Sequence, residues 1–91
     1  MTVQWKMYFA SLKSATQMAL IAGAVAGDLT VTGINVEDRL ISVFEYVGAG
    51  VAVTDVVDLT SEFTIVSLNT INNDGGTNTT GSKLGIVWAT R

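Results

Sequence analysis

The chain has no histidine, no cysteine and no proline, and only 14% of its 91 residues are charged. Without histidine, its many Ser and Thr hydroxyls lack the usual proton acceptor of nucleophilic catalysis, and no lysine near a strand end sits in a substitute motif. The joint absence of cysteine and histidine excludes disulfides and the usual zinc ligand sets, while leaving the redox compartment open. Positive charge is also scarce: Lys6, Lys13, Arg39, Lys83 and Arg91 are scattered singly in a chain of net charge −3. With no basic stripe for phosphates, nucleic acid is not an expected partner. No apolar run approaches the roughly 20 residues that span a bilayer, so no membrane partner is expected either.

What remains is material for packing. Apolar residues make up 48% of the chain, and from residue 28 onward they fall in short β-branched runs such as Leu29-Thr30-Val31-Thr32, Leu40-Ile41-Ser42-Val43-Phe44 and Leu84-Gly85-Ile86-Val87-Trp88. The pattern predicts strands over 3–9, 17–24, 28–34, 39–47, 51–57, 62–68 and 83–90. Breaks are expected at Gly27-Asp28, Gly33, Gly48-Ala49-Gly50 and Asn72-Asn73-Asp74-Gly75-Gly76, where Gly or Asn supplies the positive φ of tight turns. Asp58-Leu59-Thr60-Ser61-Glu62 reads as a capped turn, with Asp58 accepting N–H groups that follow it. Residues 10–22 are ambiguous, because Leu12, Ala15 and Ala19 also carry helical spacing. Asp28-Leu29-Thr30 returns as Asp58-Leu59-Thr60, which is read as chance.

These runs predict an all-β fold, a small antiparallel β-sandwich or barrel with room for one short helical turn. Residues 1–91 are expected to form a single domain, with 1–16 as a candidate N-terminal arm. A domain of this size buries only about 60–65% of the surface its unfolded chain exposes. With disulfides and zinc excluded, oligomerisation or docking on a larger body is the support left to it.

The apolar run Met18-Ala19-Leu20-Ile21-Ala22-Gly23-Ala24-Val25, preceded by Lys6 and Lys13 and ending in Ala24-Val25-Ala26, imitates a secretory signal with its cleavage site. Against that reading, Val3, Trp5, Met7 and Phe9 alternate with Thr2, Gln4, Lys6 and Tyr8, a strand pattern that a signal's basic region does not need. A secreted β domain starting near Gly27 is the competing expectation.

Eight acidic residues are present: Asp28, Glu37, Asp38, Glu45, Asp55, Asp58, Glu62 and Asp74. A two-carboxylate site needs a pair of them across a cleft, and so short a chain has little material for a cleft beside a core. Glu37-Asp38-Arg39 is expected to be a solvated turn. The Asn72 to Gly81 stretch, with one carboxylate in Asp74, falls short of the six to eight oxygens that calcium takes. It is expected to be a flexible hairpin loop, with a weak cation or sugar contact as the minor reading. Asn78-Thr79-Thr80 matches a glycosylation acceptor, relevant only in a secreted eukaryotic protein. The expectation is a protein without catalytic residues, metal or cofactor.

Phe44 and Trp88 lie deep in strand patterns and are expected in the core. Trp5 belongs to a terminal segment that needs pairing to be ordered. Such a segment adds to a neighbour's sheet edge or forms an edge strand of its own sheet.

Taken in order, Gly27-Asp28-Leu29-Thr30-Val31-Thr32-Gly33-Ile34, Asp38-x-Leu40-Ile41-Ser42-Val43, Leu59-x-x-Glu62-Phe63-x-Ile65 and Thr70-Ile71-Asn72-Asn73-x-Gly75-Gly76-x-x-Thr79, followed by Leu84-x-Ile86-x-Trp88, resemble small head proteins of tailed bacteriophages, often described as capsid decoration or accessory head proteins. The resemblance spans residues 20 to 90 and omits 1 to 16. It implies a β domain, commonly a homotrimer, that sits on the outside of the virion capsid, binds the major capsid protein and reinforces the shell. Trp5, Met7 and Phe9 are then expected as intersubunit or shell contacts. Asn73 and Asp74, on the polar hairpin, are expected to point outward or toward a neighbour. The alternative is a surface- or carbohydrate-binding β module of a phage tail or secreted protein, using exposed aromatics beside that hairpin.

Overall fold

The computed structural model describes residues 16–48 and 52–90. Seven strands run in chain order as β1 (Thr16–Ala22), β2 (Gly27–Thr30), β3 (Arg39–Val47), β4 (Asp55–Asp58), β5 (Phe63–Ser67), β6 (Thr70–Asn73) and β7 (Lys83–Ala89), with a 3-10 turn at Thr60–Glu62. Sheet A has the order β1-β7-β3-β4 and sheet B the order β2-β6-β5, and every pairing is antiparallel. The fold is all-β, as the alternating runs predict. Residues 3–9, expected as a strand, lie outside the described residues.

One cluster joins the two sheets. Leu29 of β2, Phe63 of β5 and Ile71 of β6 meet Val43 of β3 and Leu84, Ile86 and Trp88 of β7, with Val31, Ile34 and Leu59 closing the connections. Facing partners in an antiparallel pair share a sheet face, so Leu84, Ile86 and Trp88 carry Ile21, Ala19 and Gln17 of β1 to the core side. Successive residues alternate faces. Met18 and Leu20 therefore turn outward.

A bulge in β3 decides where Phe44 goes. Leu40 faces Trp88, but the register shifts between Leu40 and Ser42, so Val43 and Glu45 face Ile86 and Leu84 on the core side. The extra residue at Ile41 reverses the alternation. Phe44, expected in the core from its place two and four residues after Ser42 and Leu40, is half-buried on the outer face instead. Trp88 is in the core as expected, 3% exposed.

Other boundaries differ for local reasons. β2 stops at Thr30 because Gly33 turns the chain at φ +98°, and Val31 N–H is taken by Asn69 O. Residues 16–22 are strand and not helix, held by seven consecutive pairs with β7. The expected strand over 51–57 is reduced to Asp55–Asp58, and the one over 62–68 starts at Phe63 after the 3-10 turn. β6 occupies residues read as a break. Its turn signal is Asn69, the one non-glycine described residue with positive φ, at 59°, a conformation Asn tolerates better than most side chains. Asn69 also ties this hairpin to the β2–β3 connection: its Oδ1 accepts from Gly33 N–H at 2.8 Å and its own N–H donates to Ile34 O at 2.7 Å.

The capped turn forms as expected. Asp58 Oδ1 accepts from Thr60 Oγ1 at 2.6 Å and from Thr60 N–H at 3.0 Å, while Thr60 Oγ1 accepts from Val43 N–H. The copy at Asp28-Leu29-Thr30 is a plain strand, where Asp28 Oδ1 accepts from Asn72 Nδ2. The Thr60 hydroxyl first, and then its backbone N–H, hold the Asp58 carboxyl below the usual aspartate value. A depressed folded-state pKa stabilises the fold above the unfolded value, near pH 4, and the contribution is lost as the pH falls through the folded value. Asp58→Asn is thus expected to lower stability at neutral pH and to weaken the acid dependence of unfolding below about pH 4. Denaturant titrations from pH 7 down to pH 2 check this; parallel curves for the two proteins contradict it.

Candidate functional site

The pairing of sheet A gathers apolar side chains on the face away from the core. β1 supplies Met18 and Leu20, which face Val87 and Gly85 of β7. β3 supplies Phe44 and Tyr46, which face Gly85 and Lys83 on one side and Asp58 and Val56 of β4 on the other. Met18 is 76% exposed, Leu20 66% and Val56 52%. Exposed apolar residues scattered singly are ordinary, whereas a contiguous set marks a surface built for contact.

At its centre this face is shaped by a glycine. A Cβ on Gly85 would come within 2.7 Å of Tyr46 Cε2, so the Tyr46 ring lies against bare backbone. Beside it a shallow groove of about 380 Å³ is lined by Met18, Ala19, Leu20, Tyr46, Val53, Lys83 and Gly85. Its lining is apolar apart from Lys83 and the Tyr46 hydroxyl. Such a groove can exclude water from an inserted apolar side chain.

The polar stretch expected to be a hairpin is a crossover. β6 belongs to sheet B and β7 to sheet A, so Asp74 to Ser82 carry the chain between sheets. Its side chains work inward. Thr79, 1% exposed, accepts from Ala24 N–H and donates to Ala24 O, both at 3.0 Å, and its N–H donates to the same carbonyl. Asn73 is buried; its Nδ2 donates to Thr77 O and its Oδ1 accepts from Gly76 N–H. Glu62 Oε1 accepts from Thr77 N–H. The amide of Asn73 is thus spent within the chain, while Asp74 is exposed, with its Oδ2 near Thr64 Oγ1 at 3.4 Å. Within the glycosylation pattern, Asn78 Oδ1 accepts from Thr80 N–H.

Glu37, Asp38 and Arg39 line a second depression, of about 390 Å³, with Ala89 and Thr90. Asp38 Oδ2 accepts from Asn35 N–H, as in a turn. No three His, Cys, Asp or Glu side chains among the described residues are grouped to hold a metal ion. Trp5, Met7 and Phe9, expected as contacts, lie outside the described residues; Asn73 and Asp74 lie at the end of β6 and the start of the crossover, away from the outer face of sheet A. Met18, Leu20, Tyr46 and Val56 were not expected there. The signal that could have found them is the run Met18-Ala19-Leu20-Ile21, apolar at every position where a half-buried strand alternates. Comparison of the chain with models of known protein families, with curated proteins and with solved structures finds no match.

Proposed function

We propose that this chain is a structural module that docks through the outer face of sheet A, binding the outside of a tailed-phage head and reinforcing it. The observation that carries the docking role is the contiguous exposed set Met18, Leu20 and Val56 around Tyr46. A small core gains stability when its folded form alone is bound by a partner. The head as the body it docks on comes from the order of motifs between residues 20 and 90, with the major capsid protein as partner and a trimer as the assembled form. On a shell with many identical sites, modest affinity per contact suffices, because multivalent placement raises effective concentration.

The carbohydrate-binding alternative calls for exposed rings beside the polar stretch. Phe63, the aromatic residue paired with Asn73, is buried, so this reading has less support. Purified protein is to be mixed with phage heads assembled without it, followed by imaging and heating. Added density on the outer surface and greater heat resistance are the expected results. Bare heads at saturating protein would contradict the proposal. Leu20→Asp, a change at an exposed position, is expected to leave melting within about 0.5 kcal/mol of the parent while weakening attachment at least about tenfold, the cost of placing a charge in a dry contact.

A further inference from the structure

We infer that two copies of this chain join through β1, edge to edge and antiparallel about a two-fold axis at Ala19, so that Met18 of each copy faces Leu20 of the other. Sheet A then runs on across the pair. Sheet edges are normally blunted by short length, charge, proline or a bulge. Three of the four edge strands follow this rule. β4 has four residues and carries Asp55 and Asp58. β2 has four and carries Asp28. β5 is interrupted by a register shift between Ile65 and Ser67. β1 has none of these devices: it runs for seven residues, Thr-Gln-Met-Ala-Leu-Ile-Ala, without charge or proline, and its pairing with β7 is unbroken. No described strand pairs with its other side.

The hydrogen bonds fix which groups that edge offers. Gly23 N–H donates to Ser82 O, which continues the β1–β7 register one pair beyond Ala22 and Lys83. In an antiparallel strand the backbone groups of successive residues point alternately to one neighbour and to the other, so Gly23, Ile21, Ala19 and Gln17 bond toward β7. Thr16, Met18, Leu20 and Ala22 aim theirs at the open edge. A second β1 satisfies these four only where even-numbered residues oppose even-numbered ones, and an axis at Ala19 engages all of them, Thr16 with Ala22 and Met18 with Leu20. An axis at Met18 or at Leu20 leaves one of the four with no opposite residue in β1. A slip of one residue sets outward groups against groups already turned to β7.

Side chains select the same partner. β1 carries no charge, so pairing it with itself opposes no like charges, the usual penalty of self-association between edges. Large apolar pairs across strands stabilise a sheet, and the two Met18–Leu20 pairs cover the two most exposed large apolar residues of the described chain. Ala19 meets Ala19 at the axis, where the strands approach most closely. Two seven-residue strands make a contact at the small end of specific interfaces, so association is expected to rise with concentration. The pairing uses one edge per chain and leaves other surfaces for the trimer, and it stands whether or not a phage head is the partner. Its consequence, that the outer faces of two sheets merge into one docking surface, rests on the function proposed above.

The absence of native cysteine makes the test direct. At the axis, Ala19 and its copy form a non-hydrogen-bonded pair with Cα atoms about 4.5 Å apart, within the disulfide range of about 4.4–6.8 Å, whereas Met18 and its copy stand diagonally at about 7–8 Å. Under mild oxidation Ala19→Cys is expected to give an interchain disulfide at least about tenfold faster than Met18→Cys. Because Ala19 turns toward the core, a mixture of Met18→Cys and Leu20→Cys chains, changed at exposed positions, supplies a second readout. Mixed disulfides are expected at least about tenfold faster than like pairs of either variant. Faster like pairs at Met18 or Leu20 overturn the register, and equal slow rates throughout overturn the pairing. For the unmodified chain, light scattering over a range of concentrations is expected to reach an even number of chains, two alone or six with the trimer. One or three chains at every concentration gives the β1 edge to another occupant and overturns the inference, while attachment to phage heads is judged separately.

Discussion

Trp88→Ala is expected to unfold the protein at or near room temperature. Trp88 is 3% exposed, sits opposite Leu40 of β3 and Gln17 of β1, and lies beneath the Gly33 turn, where an added Cβ would meet its Cζ2 at 3.9 Å. Truncating a buried aromatic costs about 3–5 kcal/mol. Small domains hold about 5–15 kcal/mol in all, and this one has a single small core. For 60–100 residues each kcal/mol shifts the melting temperature by about 4–8 °C, so the fall is about 12–40 °C. Trp88→Phe is expected to cost far less, because a six-membered aromatic ring stays and the indole N–H, buried without a hydrogen-bond acceptor among the described residues, is removed. Thermal unfolding of the pair checks the assignment; a near-normal melt for Trp88→Ala means that β7 presents its other face to the core.

The second large effect is expected from Gly23→Ala, a substitution that is mild on most surfaces. A Cβ there would run into the backbone carbonyl oxygen of Thr79 and come within 2.7 Å of its hydroxyl. Neither group can retreat easily. Gly23 N–H donates to Ser82 O, Ser82 N–H to Thr79 O and Thr79 N–H to Ala24 O, while the Thr79 hydroxyl bonds both Ala24 N–H and Ala24 O. Overpacking costs about 1–3 kcal/mol, and each hydrogen bond broken by the shift adds about 0.5–1.5 kcal/mol. A total loss of about 3 kcal/mol or more is expected in denaturant unfolding. A loss under 1 kcal/mol would show that the crossover after β6 moves freely against the β1–β2 connection.

These two positions also show which parts of the fold the sequence reveals. β3 and β7 are legible because β-branched and aromatic residues fill them, and Trp88 falls where the alternation places it. Phe44 does not, since one extra residue at Ile41 inverts the pattern without leaving a mark in composition. β6 is hidden for a different reason. Asn72 and Asn73 are turn formers by habit, yet Asn73 pairs with both Gly27 and Phe63 in the middle of a sheet and satisfies its amide on the crossover. Thr79 and Ser82 are buried too, and a buried hydroxyl has no apolar periodicity to betray it.

The site is less legible than the fold. Met18, Leu20, Tyr46 and Val56 come from three strands spread over nearly forty residues, and only the order β1-β7-β3-β4 puts them on one face. The run at Met18 to Val25, which imitates a secretory signal, supplies five of the seven β1 residues that pair with β7, Met18 to Ala22. Removing it by a cut after Ala26 would strip a strand from sheet A and expose the β7 backbone.

The most direct test of a docking face on sheet A is quantitative attachment to phage heads assembled without this chain, measured for the parent and for Leu20→Asp with Val56→Asp. Saturable attachment of the parent and its loss in the doubly charged but still folded variant is the predicted result. Equal attachment by both, or by neither, would mean that this surface is not the one by which the protein works.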